Sequence, residues 1–94
     1  TLGGEGAVAF TPDEAWQVKA PRVDVVDTTG AGDTFCGTLA AALDEGQSFP
    51  DAVRAGCAAG SLACTRLGAQ SGMPERQAVM ALLDRMPPTL PYQD

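Results

Sequence analysis

Val23-Asp24-Val25-Val26-Asp27-Thr28-Thr29-Gly30-Ala31-Gly32-Asp33-Thr34-Phe35-Cys36-Gly37-Thr38 reads as a strand, a tight glycine turn and the start of a helix. Val23, Val25 and Val26 are β-branched and apolar, as a strand requires. Gly30 and Gly32 flank Ala31, so the backbone can bend sharply there and approach a ligand with no side chain in the way. Asp33-Thr34-Phe35 then opens an alanine-rich run with helical spacing. A strand–turn–helix of this kind aims free backbone N–H groups at one point, at the positive end of a helix dipole. That makes an anion site, and phosphate is its usual occupant.

Asp33 has two readings. A carboxylate in the first turn of a helix complements the dipole, and this is common. A carboxylate at the mouth of an anion hole can also take the proton from a hydroxyl attacking a phosphoryl group held by the same N–H cluster. The glycine turn alone favours the first reading, because short glycine patterns recur by chance.

The full run Asp27-Thr28-Thr29-Gly30-Ala31-Gly32-Asp33-Thr34-Phe35 resembles the C-terminal signature of the ribokinase (PfkB) family of carbohydrate kinases. The resemblance implies an α/β, ribokinase-like fold, of which this stretch is the C-terminal nucleotide-binding portion: strands and a hairpin, then three helices. It implies that Asp33 is the catalytic base and contacts the substrate, with Gly30, Ala31, Gly32 and Asp33 forming the anion hole. Family members run to roughly three times this length by the usual size of α/β domains. Residues 1–94 are therefore expected to lack the N-terminal sugar-binding part and its β-sheet lid.

Composition narrows the remaining choices. Ninety-four residues make one small domain at most, and an apolar fraction of 45% is that of a globular chain. The net charge is −6, with six Lys and Arg and no histidine. Such a chain has no electrostatic footprint for nucleic acid or an acidic membrane surface. No apolar run reaches membrane-spanning length. The three cysteines include no Cys-x-x-Cys pair. Cys57 and Cys64 are separated by roughly 10 Å of helical rise, too far for a disulfide. Reduced thiols and a cytoplasmic setting are expected, with no zinc site.

Thr1-Leu2-Gly3-Gly4-Glu5-Gly6 is a glycine-rich loop ahead of a short strand, Ala7–Phe10. The resemblance makes residues 1–6 the loop lying along the nucleotide phosphates and sugar, with Gly32 also touching the nucleotide. Trp16-Gln17-Val18 is the second strand of a hairpin, and Trp16 is expected to pack rather than stack on a base. Phe35, Leu39, Ala42 and Leu43 share helical spacing in a helix running from Asp33 to about Leu43, closed by Gly46 as a left-handed cap. A second helix starts at Pro50-Asp51 and runs to about Arg66, with small residues at 55, 56, 59, 60 and 63. Such a face suits close approach to another helix or to a flat ligand. By resemblance, this helix lines an adenine pocket and Cys57 contacts the base. A third helix, Pro74 to Met86, carries Val79, Leu82, Leu83 and Met86 at core spacing, and 87–94 reads as a loosely held proline-rich tail.

The resemblance also implies a monovalent-cation site, usually for potassium, formed by Asp27, Thr29, Ala63, Arg66, Gly68 and Gly72. Gly72 departs from the serine often found there in ribokinases, with Ser71 one place earlier. The implied reaction is transfer of the γ-phosphoryl of ATP, with Mg2+ and K+, to a sugar hydroxyl. Thr65-Arg66-Leu67-Gly68-Ala69-Gln70 resembles the ribokinase form of its loop, which puts D-ribose first as acceptor. Fructose, 2-keto-3-deoxygluconate and adenosine are the alternatives, as is a non-catalytic nucleotide-binding fragment. A homodimer through the N-terminal lid is a further implication. An NAD-binding unit is disfavoured, because the glycines lack the Gly-x-Gly-x-x-Gly spacing.

Overall fold

A computed structural model describes residues 6–10, 14–19, 21, 30–65 and 76–91. The order of elements is β1 (Ala7–Phe10), β2 (Ala15–Val18), α1 (Ala31–Asp44), α2 (Phe49–Ala63), α3 (Arg76–Leu83) and β3 (Leu90–Pro91). The expected strand at Val23–Val26 lies outside the described residues.

The first two strands form the expected antiparallel hairpin, with Ala7 opposite Val18 and Phe10 opposite Ala15. The tail departs from its reading as a loose segment. Leu90 and Pro91 pair antiparallel with Gln17 and Trp16, so the sheet has the order β1-β2-β3. Proline is tolerated there because an edge strand leaves one row of backbone groups unpaired.

Helix α1 begins two residues earlier than the apolar spacing indicates, at Ala31, with Gly30 as its N-cap. Its end follows expectation. Gly46 is left-handed at φ 91°, and its N–H donates to the Leu43 carbonyl while that of Gln47 donates to Ala42. These two bonds make a Schellman stop and satisfy carbonyls that the helix end leaves open. Ser48 caps α2, its hydroxyl accepting from the Asp51 N–H at 3.3 Å, and Pro50 sits in the first turn. That helix ends at Ala63, short of the expected Arg66.

Helix α2 is the centre of the fold, with Ala52, Val53 and every residue from Ala55 to Gly60 buried. Val53, Cys57, Ala58 and Ala59 join Val18 of the sheet and Val79, Leu82 and Met86 in one apolar cluster. Trp16, Phe35, Leu39, Phe49, Leu62 and Leu83 pack around it. Each fully buried aliphatic side chain of this kind contributes about 1.5–3 kcal/mol. Trp16 thus packs, as expected. Leu43 does not: it is 43% exposed. At 3.6 residues per turn it lies roughly 80° around α1 from Phe35, beyond the edge of the buried stripe.

Arg54 ties the two ends of this core together. Its guanidinium donates to the carbonyls of Leu83 at 2.8 Å, Met86 at 3.0 Å and Pro87 at 3.3 Å. Leu83 ends α3, where the dipole favours a cation, and its carbonyl also accepts from the Met86 N–H; Met86 and Pro87 follow it. Arg54→Ala would leave these carbonyls without that donor, so stability should fall by about 2 kcal/mol. Urea denaturation of the two proteins checks this, with an unchanged midpoint as the contrary result.

Candidate functional site

Gly30 adopts φ 79°, ψ −2°, a left-handed conformation that costs little for glycine. That single torsion turns the chain into α1 without a side-chain cap. The first helical bond runs from the Thr34 N–H to the Gly30 carbonyl, at 2.9 Å. The N–H groups of Ala31, Gly32 and Asp33 precede it, so no turn of the helix can accept from them. Together with the dipole they form an anion-attracting end.

Asp33 is the third residue of α1 and is exposed, while Thr34 behind it is buried. The four residues of the expected anion hole therefore share one turn, with the carboxylate at its open side.

Helix α2 supports this turn from the core side. A Cβ placed on Gly60 would lie 3.3 Å from the Ala31 carbonyl oxygen, and one on Gly56 would lie 3.0–3.1 Å from the Phe35 ring and carbonyl. The small-residue face of α2 is thus the seam with α1. Its close-approach signal was legible in the sequence, but the partner was not.

Among the other expected site residues, Gly6 is buried with φ 101° immediately before β1. Ala63 is the last residue of α2, one turn beyond Gly60 and thus along the same side of the helix. The carbonyls of Gly60, Ser61 and Leu62 just before it already accept, from the N–H groups of Cys64 and Thr65 and from the Thr65 hydroxyl. Thr1, Leu2, Gly3, Gly4, Glu5, Asp27, Thr29, Arg66, Gly68 and Gly72 lie outside the described residues. No group of three acidic, histidine or cysteine side chains able to hold a metal occurs among the described residues.

Cys57 faces the core at 8% exposure, and burial pushes its thiol up to about 11. The neutral thiol is favoured on folding, so the linked stability is intact below the ordinary value of 9.0. It is lost as the pH rises from there through about 11. Iodoacetamide at pH 8 should label exposed Cys36 well before Cys57. Mass spectrometry of the alkylated peptides reads the order, and equal rates would contradict the burial.

Residues 1–76 match the model of the pfkB family carbohydrate kinases. Lactococcus lactis ribokinase is 41% identical over 86 residues, which is 92% of this chain and 29% of that protein. Three solved structures superpose on it: Arabidopsis thaliana ribokinase complexed with ribose and ATP, an Escherichia coli protein described as a ribokinase II in complex with ATP and magnesium, and Escherichia coli phosphofructokinase-2 in complex with potassium. Their TM-scores are 0.78, 0.83 and 0.79, with identities of 42%, 32% and 30%. The match covers 86%, 88% and 88% of this chain but 27%, 27% and 26% of those structures. The chain therefore spans less than a third of the relatives it matches. By sequence and by fold, it belongs to the pfkB family of carbohydrate kinases.

Proposed function

We propose that these residues are the C-terminal, nucleotide-binding part of an ATP-dependent sugar kinase that transfers the γ-phosphoryl group to D-ribose, giving ribose 5-phosphate. The observation that carries this reading is the exposed carboxylate of Asp33 on the first turn of α1, beside the N–H groups of Ala31, Gly32 and Asp33 that precede the first helical bond. The likeness to ribokinases puts ribose ahead of fructose, 2-keto-3-deoxygluconate and adenosine.

Asp33 accepts the proton of the attacking sugar hydroxyl. The N–H groups of the Gly30–Asp33 turn stabilise the charge that spreads over the transferring phosphoryl oxygens. Residues 1–6 run along the nucleotide and Gly32 approaches it, while Cys57, buried on α2, backs the adenine pocket from the core side. Magnesium, bound chiefly through the nucleotide, offsets the phosphate charge. Asp27, Thr29, Ala63, Arg66, Gly68 and Gly72 hold potassium, which keeps the anion-hole turn in shape. The sugar-binding part and the lid, through which two copies would pair, belong to further residues of a complete cytoplasmic kinase.

A non-catalytic nucleotide-binding fragment is the second reading, favoured by the short span relative to the whole kinases. The 94-residue chain alone is expected to release no ADP with ribose, whereas the complete kinase does so faster in potassium than in sodium. Ribose-dependent ADP release by the isolated chain would contradict the need for further residues. A complete protein inactive with every sugar would remove the kinase reading.

A further inference from the structure

Two helices meet at an unusually close seam. On α2, Gly56 and Gly60 are four residues apart and so lie on one face. On α1 their neighbours, Phe35 and Ala31, are also four apart. This is the meshing expected when rows of residues at i, i+4 on two helices interdigitate. At Gly56 the facing atoms are the Phe35 ring and carbonyl, and the ring can move. At Gly60 the nearest facing atom is the backbone oxygen of Ala31, which moves only if the helix end moves. Ala31 is the first residue of α1 and carries one of the three N–H groups that precede the first helical bond.

We propose that Gly60 is a positioning residue for phosphoryl transfer: its missing side chain sets how deeply the N-terminus of α1 sits on α2, and hence where the anion-hole N–H groups and the Asp33 carboxylate stand. This rests on the kinase reading above and assigns the seat to a residue that need touch neither substrate. The 3.3 Å approach grades the response to substitution. A methyl group needs only a few tenths of an ångström of give, whereas a branched side chain cannot share the space with a backbone oxygen. Lifting the turn by about 1 Å is enough to cost roughly two orders of magnitude in rate.

The test is steady-state kinetics of the complete kinase with ATP and ribose, alongside thermal melting. Gly60→Val is expected to lower kcat by about 30- to 100-fold with the ribose KM within about threefold of wild type. Gly60→Ala should retain most of the turnover. Arg54→Ala, which removes hydrogen bonds to Leu83, Met86 and Pro87, supplies a destabilised control whose kcat should stay near wild type. Should the valine variant fail to fold, Gly60→Cys is measured in its place, with an expected kcat loss of about three- to tenfold. The seat is overturned if Gly60→Val turns over like wild type, or if Arg54→Ala loses kcat as steeply. Wild-type protein without sugar-dependent ADP release would instead overturn the kinase reading, and the inference with it.

Discussion

Asp33→Asn in the complete kinase is expected to lower turnover by about two to four orders of magnitude while ATP affinity hardly changes. Asparagine keeps the size and the planar end group, so the exposed first turn of α1 has no packing reason to move. It cannot accept the hydroxyl proton, and that loss falls on kcat. The dipole complement of the carboxylate is worth about 0.3–1 kcal/mol at such a position, so the melting temperature should shift only slightly. Removing a negative charge beside the phosphates would, if anything, tighten ATP binding. Steady-state kinetics with a separate ATP titration distinguishes these effects. Undiminished turnover would return Asp33 to the role of a dipole-matching helix residue.

Local chemistry made part of this molecule legible in its sequence. Glu45-Gly46-Gln47 carries its own stop signal, because a left-handed glycine after a helix satisfies the last carbonyls with bonds to near neighbours. The hairpin and the apolar row of Val79, Leu82 and Met86 were readable for the same reason, since their periods are short. Contacts between distant residues were not. Arg54 finds its acceptors 29 to 33 positions further on, and no pattern within α2 announces them. The pairing of Leu90 and Pro91 with β2 is set by the sheet edge rather than by a run that contains proline. In the candidate site, glycine and aspartate at Gly30–Asp33 announced the turn. That the helix starts at Ala31, so that Asp33 falls in its first turn, needed the backbone. Gly60 showed only as a small residue, because its role depends on which helix lies opposite.

Gly30→Val is expected to damage the same site by another route, lowering turnover by about two to three orders of magnitude and weakening ATP binding as well. At φ 79° a residue with a Cβ meets a steric cost of about 1–2 kcal/mol, and branching at that carbon makes the conformation an outlier. The backbone escapes by rotating Gly30 out of the left-handed region. That rotation redirects its carbonyl away from the Thr34 N–H, now 2.9 Å distant, and unwinds the turn that aligns the N–H groups of Ala31, Gly32 and Asp33. Asparagine tolerates the left-handed region better, so Gly30→Asn should keep more activity than Gly30→Val. The contrast with Asp33→Asn is diagnostic, because losing the base spares ATP affinity whereas losing the donors does not. Nucleotide titration of the two variants reads the difference. If Gly30→Val binds ATP as wild type does, the phosphates are held elsewhere, and the turn before α1 is only the way the chain enters its helix.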